Sequence, residues 1–168
     1  MKPALFLDRD GTLNIDCPYC NSSEKTIMYD DIFVPLEELS KKYYIIIITN
    51  QSGVGKGIIT MAQLDEVNNK VKVEIEGRGG RVDAIYCCIH KPEDKCECRK
   101  PNTKLLSLAF SSFSIDREHS FVIGDDDKDM VMARNFGIRG IRIRRKGDEN
   151  GDYFAQDFYK VLEVINGT

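Results

Sequence analysis

No apolar run in the sequence approaches the roughly 20 residues that cross a bilayer, so no membrane partner is expected. Charge of one sign is also missing: 24 Lys and Arg stand against 27 Asp and Glu, a net of −3. That balance excludes a polycationic surface for bulk binding of nucleic acid. Met1-Lys2-Pro3 leads straight into Ala4-Leu5-Phe6-Leu7, an apolar segment too short for a secretory leader, and the expected location is the cytoplasm. Internal repeats and low-complexity segments are absent. Histidine is scarce, with two residues, whereas cysteine reaches six. In a reducing compartment, cysteines crowded with a histidine point to a metal before they point to a disulfide framework.

What is present reads as one α/β domain over residues 1–168, expected to be a monomer. A chain of that length buries roughly 70% of its unfolded surface and needs no staples. Short apolar runs alternate with amphipathic segments, the pattern of β/α units around a mostly parallel sheet. Strands are expected at Ala4 to Leu7, Tyr44 to Ile48, Ala84 to Cys87, Ser120 to Ile123 and Gly140 to Ile143. Tyr44-Ile45-Ile46-Ile47-Ile48 lacks alternation, as a central strand covered on both faces should. Thr60 to Glu76 is the clearest helix: Thr60 and Gln63 have capping-box spacing, and Leu64, Val67, Val71 and Ile75 share a face. Further helices fit Leu36 to Lys42, Thr103 to Phe110, Lys128 to Phe136 with Gly137 as cap, and Tyr153 to Ile165. Residues 77–80 and 146–151 read as surface loops.

In open α/β sheets, ligands sit beyond the carboxyl ends of the strands. The first strand ends in Asp8-Arg9-Asp10-Gly11-Thr12. Two carboxylates one residue apart can divide nucleophilic and proton-transfer work and share a Mg²⁺ ion, with Gly11 permitting the turn. The second ends in Thr49-Asn50-Gln51-Ser52-Gly53, which offers a hydroxyl and N–H groups to phosphate oxygens. The fourth ends in Gly124-Asp125-Asp126-Asp127-Lys128-Asp129, an acidic group suited to a hard cation. Each alone has a plain alternative, a polar turn or a helix cap.

The loop between the third strand and the next helix holds Cys88-x-His90-x5-Cys96-x-Cys98. Three thiolates and one imidazole form the ligand set of a closed tetrahedral Zn²⁺ site, structural because no position is left open. Cys87 and Cys88 could exchange roles as ligand. Zn²⁺ would fix the exit of this loop so that Arg99 and Lys100 point toward the strand ends.

Together the Asp-x-Asp-Gly-Thr start, the strand-end Thr49, Lys100 and the Gly-Asp-x-x-x-Asp motif resemble the haloacid dehalogenase superfamily of phosphotransferases, over most of the chain. The resemblance implies a Rossmann-like three-layer sandwich without a large cap domain. It implies that Asp8 attacks phosphorus, that Asp10 serves as acid and then base, and that Thr49 and Lys100 hold the phosphoryl oxygens. Mg²⁺ would sit among Asp8, the Asp10 carbonyl and Asp125, with Asp129 in support. The Cys/His loop followed by Arg99-Lys100-Pro101 is similar to that of the heptose 1,7-bisphosphate 7-phosphatases and the histidinol-phosphatases. Asn14-x-Asp16-x-x-Tyr19 and Thr49-Asn50-Gln51-Ser52-Gly53 look more like the heptose family. That likeness implies a small phosphorylated sugar as partner, a place in carbohydrate metabolism, and substrate contacts from Asp16, Tyr19, Asn50, Gln51, Ser52 and Arg99. One departure stands out: the heptose pattern has Lys where this chain has Asp126.

Other readings fit less well. Gly53-Val54-Gly55-Lys56-Gly57 lacks the Ser or Thr a P-loop places after its Lys, and Ile58 occupies the last Gly position of a Rossmann fingerprint. Cys17 and Cys20 are expected as reduced thiols. His119 is not tied to the site, and Arg139, Arg142, Arg144 and Arg145 are expected along a solvated strand edge.

Overall fold

The computed structural model describes residues 1–144 and 151–168. Six strands form one parallel sheet: β1 (Lys2–Leu7), β2 (Tyr44–Asn50), β3 (Ala84–Cys88), β4 (Ile115–Gly124), β5 (Arg139–Ile143) and β6 (Tyr153–Ala155). Their order is β3-β2-β1-β4-β5-β6, so the strand order reverses between β1 and β4. Every expected strand is present, most of them a residue or more longer at one end.

The helices are α1 (Phe33–Lys42), α2 (Ser52–Gly55), α3 (Met61–Glu76), α4 (Lys104–Ser112), α5 (Asp127–Phe136) and α6 (Phe158–Asn166). Alternation along each buried strand feeds two cores. Leu5, Leu7, Ile45, Ile47, Phe121 and Ile123 pack toward α1, α3 and α6. Ala4, Phe6, Ile46, Ile48 and Val122 pack toward α4 and α5. This is the expected three-layer sandwich, and β2 is indeed covered on both faces because it lies between β1 and β3. α3 starts as its sequence dictates, with the Thr60 and Gln63 side chains each bonded to the other's backbone N–H. Gly137 closes α5 at φ 73°, a backbone state that costs glycine little.

Three expectations are corrected. Tyr153 to Ala155 extends the sheet as β6 and does not begin the last helix, which starts after the Asp157 cap. Register with β5 brings this three-residue segment into the ladder, and no local periodicity announces so short a strand. The presence of β6 also makes β5 an interior strand. Arg142 is therefore buried, and its Nη1 donates to Asp127 Oδ1 at 2.9 Å, while Arg139 stacks over Phe121 and Arg144 is exposed. Cys17 and Cys20, expected as reduced thiols, are joined as a disulfide, their Cα atoms 5.1 Å apart within bridging range. Arg145 and the loop at 146–150 lie outside the described residues. No described helix is long and apolar enough to cross a membrane.

Candidate active site

β1, β2 and β4 point their carboxyl ends into one small cleft of about 160 Å³. Its walls are Asp8, Asp10, Asp16, Thr49, Asn50, Lys100, Asp125, Asp126, Lys128 and Asp129. Residues 8, 49, 100 and 125 are far apart in sequence and meet because Asp8 and Asp125 follow β1 and β4 at the switch in strand order, Thr49 lies near the end of neighbouring β2, and Lys100 comes from the loop after β3.

The charge distribution in the cleft is lopsided. Lys100, 5% exposed, donates to Asp8 Oδ1 at 2.5 Å, to Asp129 Oδ1 at 2.7 Å and to the Ile48 carbonyl at 3.0 Å. Burial pulls its ammonium down, but the negative charges of Asp129 and Asp8 outweigh that and hold it above its ordinary range. Burial pushes the Asp129 carboxyl up to about 7; Lys100 draws it back, while Asp8 and Asp125 add to the rise. Oxygens of Asp8, Asp125 and Asp129 lie within 4.8 Å of one another. Three crowded carboxylates with one ammonium among them favour further positive charge, and hard oxygen donors in this arrangement fit Mg²⁺. Two glycines make the crowding possible. A Cβ on Gly11, at φ 83°, would stand 2.4 Å from Asp125 Oδ2, and one on Gly124 would stand 2.3 Å from Asp129 Oδ2.

Asp10 sits in a different environment. Its Oδ1 accepts from Asn14 Nδ2 at 2.9 Å, and its Oδ2 accepts from Gln51 Nε2 at 2.6 Å. Arg9, fully buried, donates to both oxygens. Sequence reasoning passed over Arg9, the middle residue of Asp-x-Asp, because nothing local shows a side chain turned inward beneath its own motif. Gln51 Nε2 also donates to Thr49 Oγ1 at 2.9 Å.

The remaining expected contacts divide. Asp16, Thr49 and Asn50 line the cleft, but the Asn50 amide is spent on Lys100: its Oδ1 accepts from the Lys100 N–H at 3.0 Å and its Nδ2 donates to the Lys100 carbonyl. Asn50 thus fixes the backbone that carries the ammonium. Tyr19, Gln51, Ser52 and Arg99 are not in the cleft wall. The Tyr19 hydroxyl accepts from Lys56 Nζ at 2.8 Å. Arg99 faces an adjoining depression lined also by Lys95, Lys100 and Lys128. Asp126, the departure from the heptose pattern, caps α5 by accepting from the Lys128 N–H, and the cleft receives a second cation from Lys128 instead.

Cys88, His90, Cys96 and Cys98 converge between the end of β3 and Lys100. Sγ to Sγ separations are 3.0 to 3.6 Å, and His90 Nδ1 lies 3.1 Å from Cys98 Sγ and 3.7 Å from Cys88 Sγ. A tetrahedron with metal–sulfur bonds of about 2.3 Å has edges near 3.8 Å, so the four donors fit Zn²⁺ after a small expansion. Burial pushes the Cys88 and Cys98 thiols up; it does so for Cys96 too, but the Arg99 N–H and the neighbouring thiols bring that one down overall. Cys87 points the other way, where Asn68 Nδ2 donates to its sulfur, which leaves Cys88 as the ligand candidate of the pair. The exposed His119 bonds the half-buried Asp116 side chain, away from the cleft.

Comparison with known proteins agrees with this geometry. Residues 97–160 match the HAD-hydrolase-like family model. A probable D-glycero-D-manno-heptose-1,7-bisphosphate 7-phosphatase of Thermoplasma acidophilum is 44% identical over 136 residues, 80% of this chain and 85% of that protein. The histidine biosynthesis bifunctional protein of Actinobacillus pleuropneumoniae is 38% identical over 145 residues, 84% of this chain but 40% of that protein. The crystal structure of D,D-heptose 1,7-bisphosphate phosphatase from B. bronchiseptica, complexed with magnesium and phosphate, superposes with a TM-score of 0.88 at 26% identity over 99% of both chains. The chain belongs to the haloacid dehalogenase-like phosphatases, in the family of the heptose 1,7-bisphosphate 7-phosphatases.

Proposed function

We propose that this protein is a phosphoric monoester hydrolase that removes the 7-phosphate of D-glycero-D-manno-heptose 1,7-bisphosphate through an aspartyl-phosphate. The observation that carries the reading is the meeting of Asp8, Asp10, Thr49, Lys100 and Asp125 at one cleft, in a chain 44% identical to a probable phosphatase of that substrate. An oxygen of Asp8 bonds to phosphorus, the P–O bond to the sugar breaks, and the departing oxygen takes a proton from the Asp10 carboxyl. Asp10 then takes a proton from water, whose oxygen bonds to phosphorus while the Asp8–phosphorus bond breaks. Thr49 and Lys100 hold the phosphoryl oxygens, and Lys100 compensates their charge. Mg²⁺, held by Asp8, the Asp10 carbonyl and Asp125, would neutralise negative charge on the transferring group. Zn²⁺ at Cys88, His90, Cys96 and Cys98 would fix the loop that ends in Arg99 and Lys100.

The partner is a small phosphorylated molecule, and the sequence expectations of a cytoplasmic monomer without nucleic acid accompany the reading. A phosphate-release screen that sets heptose bisphosphates beside histidinol phosphate tests the substrate. Faster turnover of histidinol phosphate would overturn the heptose assignment. Asp8→Asn, nearly the same shape but unable to form the acyl phosphate, tests the chemistry. More than a few per cent residual turnover in pure, folded Asp8→Asn would overturn the nucleophile.

A further inference from the structure

Arg9 is a guanidinium with no exposure to water, directly between the two cleft aspartates in sequence. Such a group is held inside only when its donors are matched, and here they are matched at one end of the cleft. Nε and Nη2 reach Asp10 Oδ1 at 3.3 and 3.1 Å, Nη2 reaches Oδ2 at 2.8 Å, and Nη1 donates to Asn68 Oδ1 on α3 at 2.7 Å. Asn68 in turn donates to Cys87 Sγ on β3 at 3.3 Å. The Arg9 carbonyl accepts from the N–H groups of Thr12, Leu13 and Asn14, so its backbone is as fixed as its side chain.

A carboxylate has about four positions at which it can accept. On Asp10, Asn14 and Arg9 fill those of Oδ1, and Arg9 and Gln51 fill those of Oδ2. A proton can enter or leave only where a donor steps aside. Arg9 and Asn14 are both fully buried, whereas Gln51 is 7% exposed and also bonds the hydroxyl of Thr49, which lines the cleft. We propose that Arg9 is the positioning residue for Asp10: its fork holds the carboxylate so that proton transfer runs through the Oδ2 position that Gln51 Nε2 occupies. This rests on the phosphatase reading above. The planar fork matters, because a lysine at this position could carry the charge but could not grip two oxygens in fixed orientation.

The consequence is specific to the steps that move a proton. A sugar alcohol needs the proton of Asp10 to leave; p-nitrophenolate leaves from phosphorus without one. Both aspartyl-phosphates need Asp10 to take a proton from water. In Arg9→Met, turnover of the sugar phosphate should fall about 10²-fold or more, the usual worth of general acid–base catalysis. With p-nitrophenyl phosphate the first turnover should survive and the second stall. Stopped-flow absorbance should then show a burst near one nitrophenolate per chain, and acid-quenched protein should carry phosphate on Asp8. Arg9→Lys should retain a smaller burst, and Asn68→Ala should show the same pattern with a lesser loss. Asn68→Ala decides the matter should Arg9→Met fail to fold. Linear, burst-free time courses in the folded variants, or equal losses in the first turnover of both esters, overturn the positioning role. A wild-type protein that releases no phosphate from either ester overturns the phosphatase reading instead.

Discussion

Lys100→Met removes the one ammonium that three carboxylates surround while keeping most of the side-chain volume. Lys100 is paired at 2.5 Å with Asp8 and at 2.7 Å with Asp129, all of them at most 11% exposed, so solvent screening offers little relief. Breaking a buried pair by deleting one partner costs about 3–5 kcal/mol. At roughly 2–4 °C per kcal/mol for a chain of this length, Tm should fall by about 6–20 °C. The loss should depend on pH, and its sign follows from Asp129. That carboxyl is raised to about 7 in the fold against 3.8 unfolded, so the folded state holds the proton more tightly between those values. Stability from this group is full below pH 4 and declines as pH rises toward 7. Without Lys100 the Asp129 carboxyl rises further and the decline extends to higher pH, so the variant should lie further below wild type at pH 8 than at pH 5. Thermal melts in buffer without added magnesium, at both pH values, measure this. Adding Asp129→Asn to Lys100→Met should recover part of the lost Tm, because it removes one of the stranded charges. A Tm within 2 °C of wild type by this estimate, a gap that does not narrow at pH 5, or no recovery in the double variant would refute the charge argument. On the same variant kcat should drop by roughly 10² or more, as loss of a strong electrostatic stabiliser does.

Elemental analysis of protein purified without chelator should find one zinc per chain, and Cys98→Ser should lower both zinc content and Tm; zinc-free protein of unchanged stability would exclude the structural metal. Arg99→Ala should raise KM with little change in kcat, and more for a bisphosphate than for a monophosphate, because Arg99 faces the cationic depression beside the cleft. Steady-state kinetics on both esters measure the difference, and equal effects would remove Arg99 from contact with a second phosphate. Gly11→Ala places a methyl 2.4 Å from Asp125 Oδ2 at a positive φ, and should cost most of the activity, read as phosphate release at saturating magnesium.

Much of this protein is written locally in its sequence. The apolar run at 44–48, the capping box of Thr60 and Gln63, and Gly137 each act on neighbours within a turn or a strand, so their structures follow from residues close by. The Asp-x-Asp-Gly-Thr start and the Cys/His loop are likewise short-range patterns, and by themselves they carry the family and the candidate metal ligands. What depended on the tertiary fold is what distant segments do to one another. Arg9 turns inward because Asn68, 59 residues away, meets it there. Asn50, at the cleft wall, spends its amide on the Lys100 backbone because β2 and the loop after β3 run side by side. Arg142 is buried because β6, too short to have a period of its own, covers the edge on which it was expected. Cys88, and not Cys87, turns toward His90 because the pleat of β3 sends adjacent side chains to opposite faces. Only the packing of the sheet decides which face holds the other three ligands.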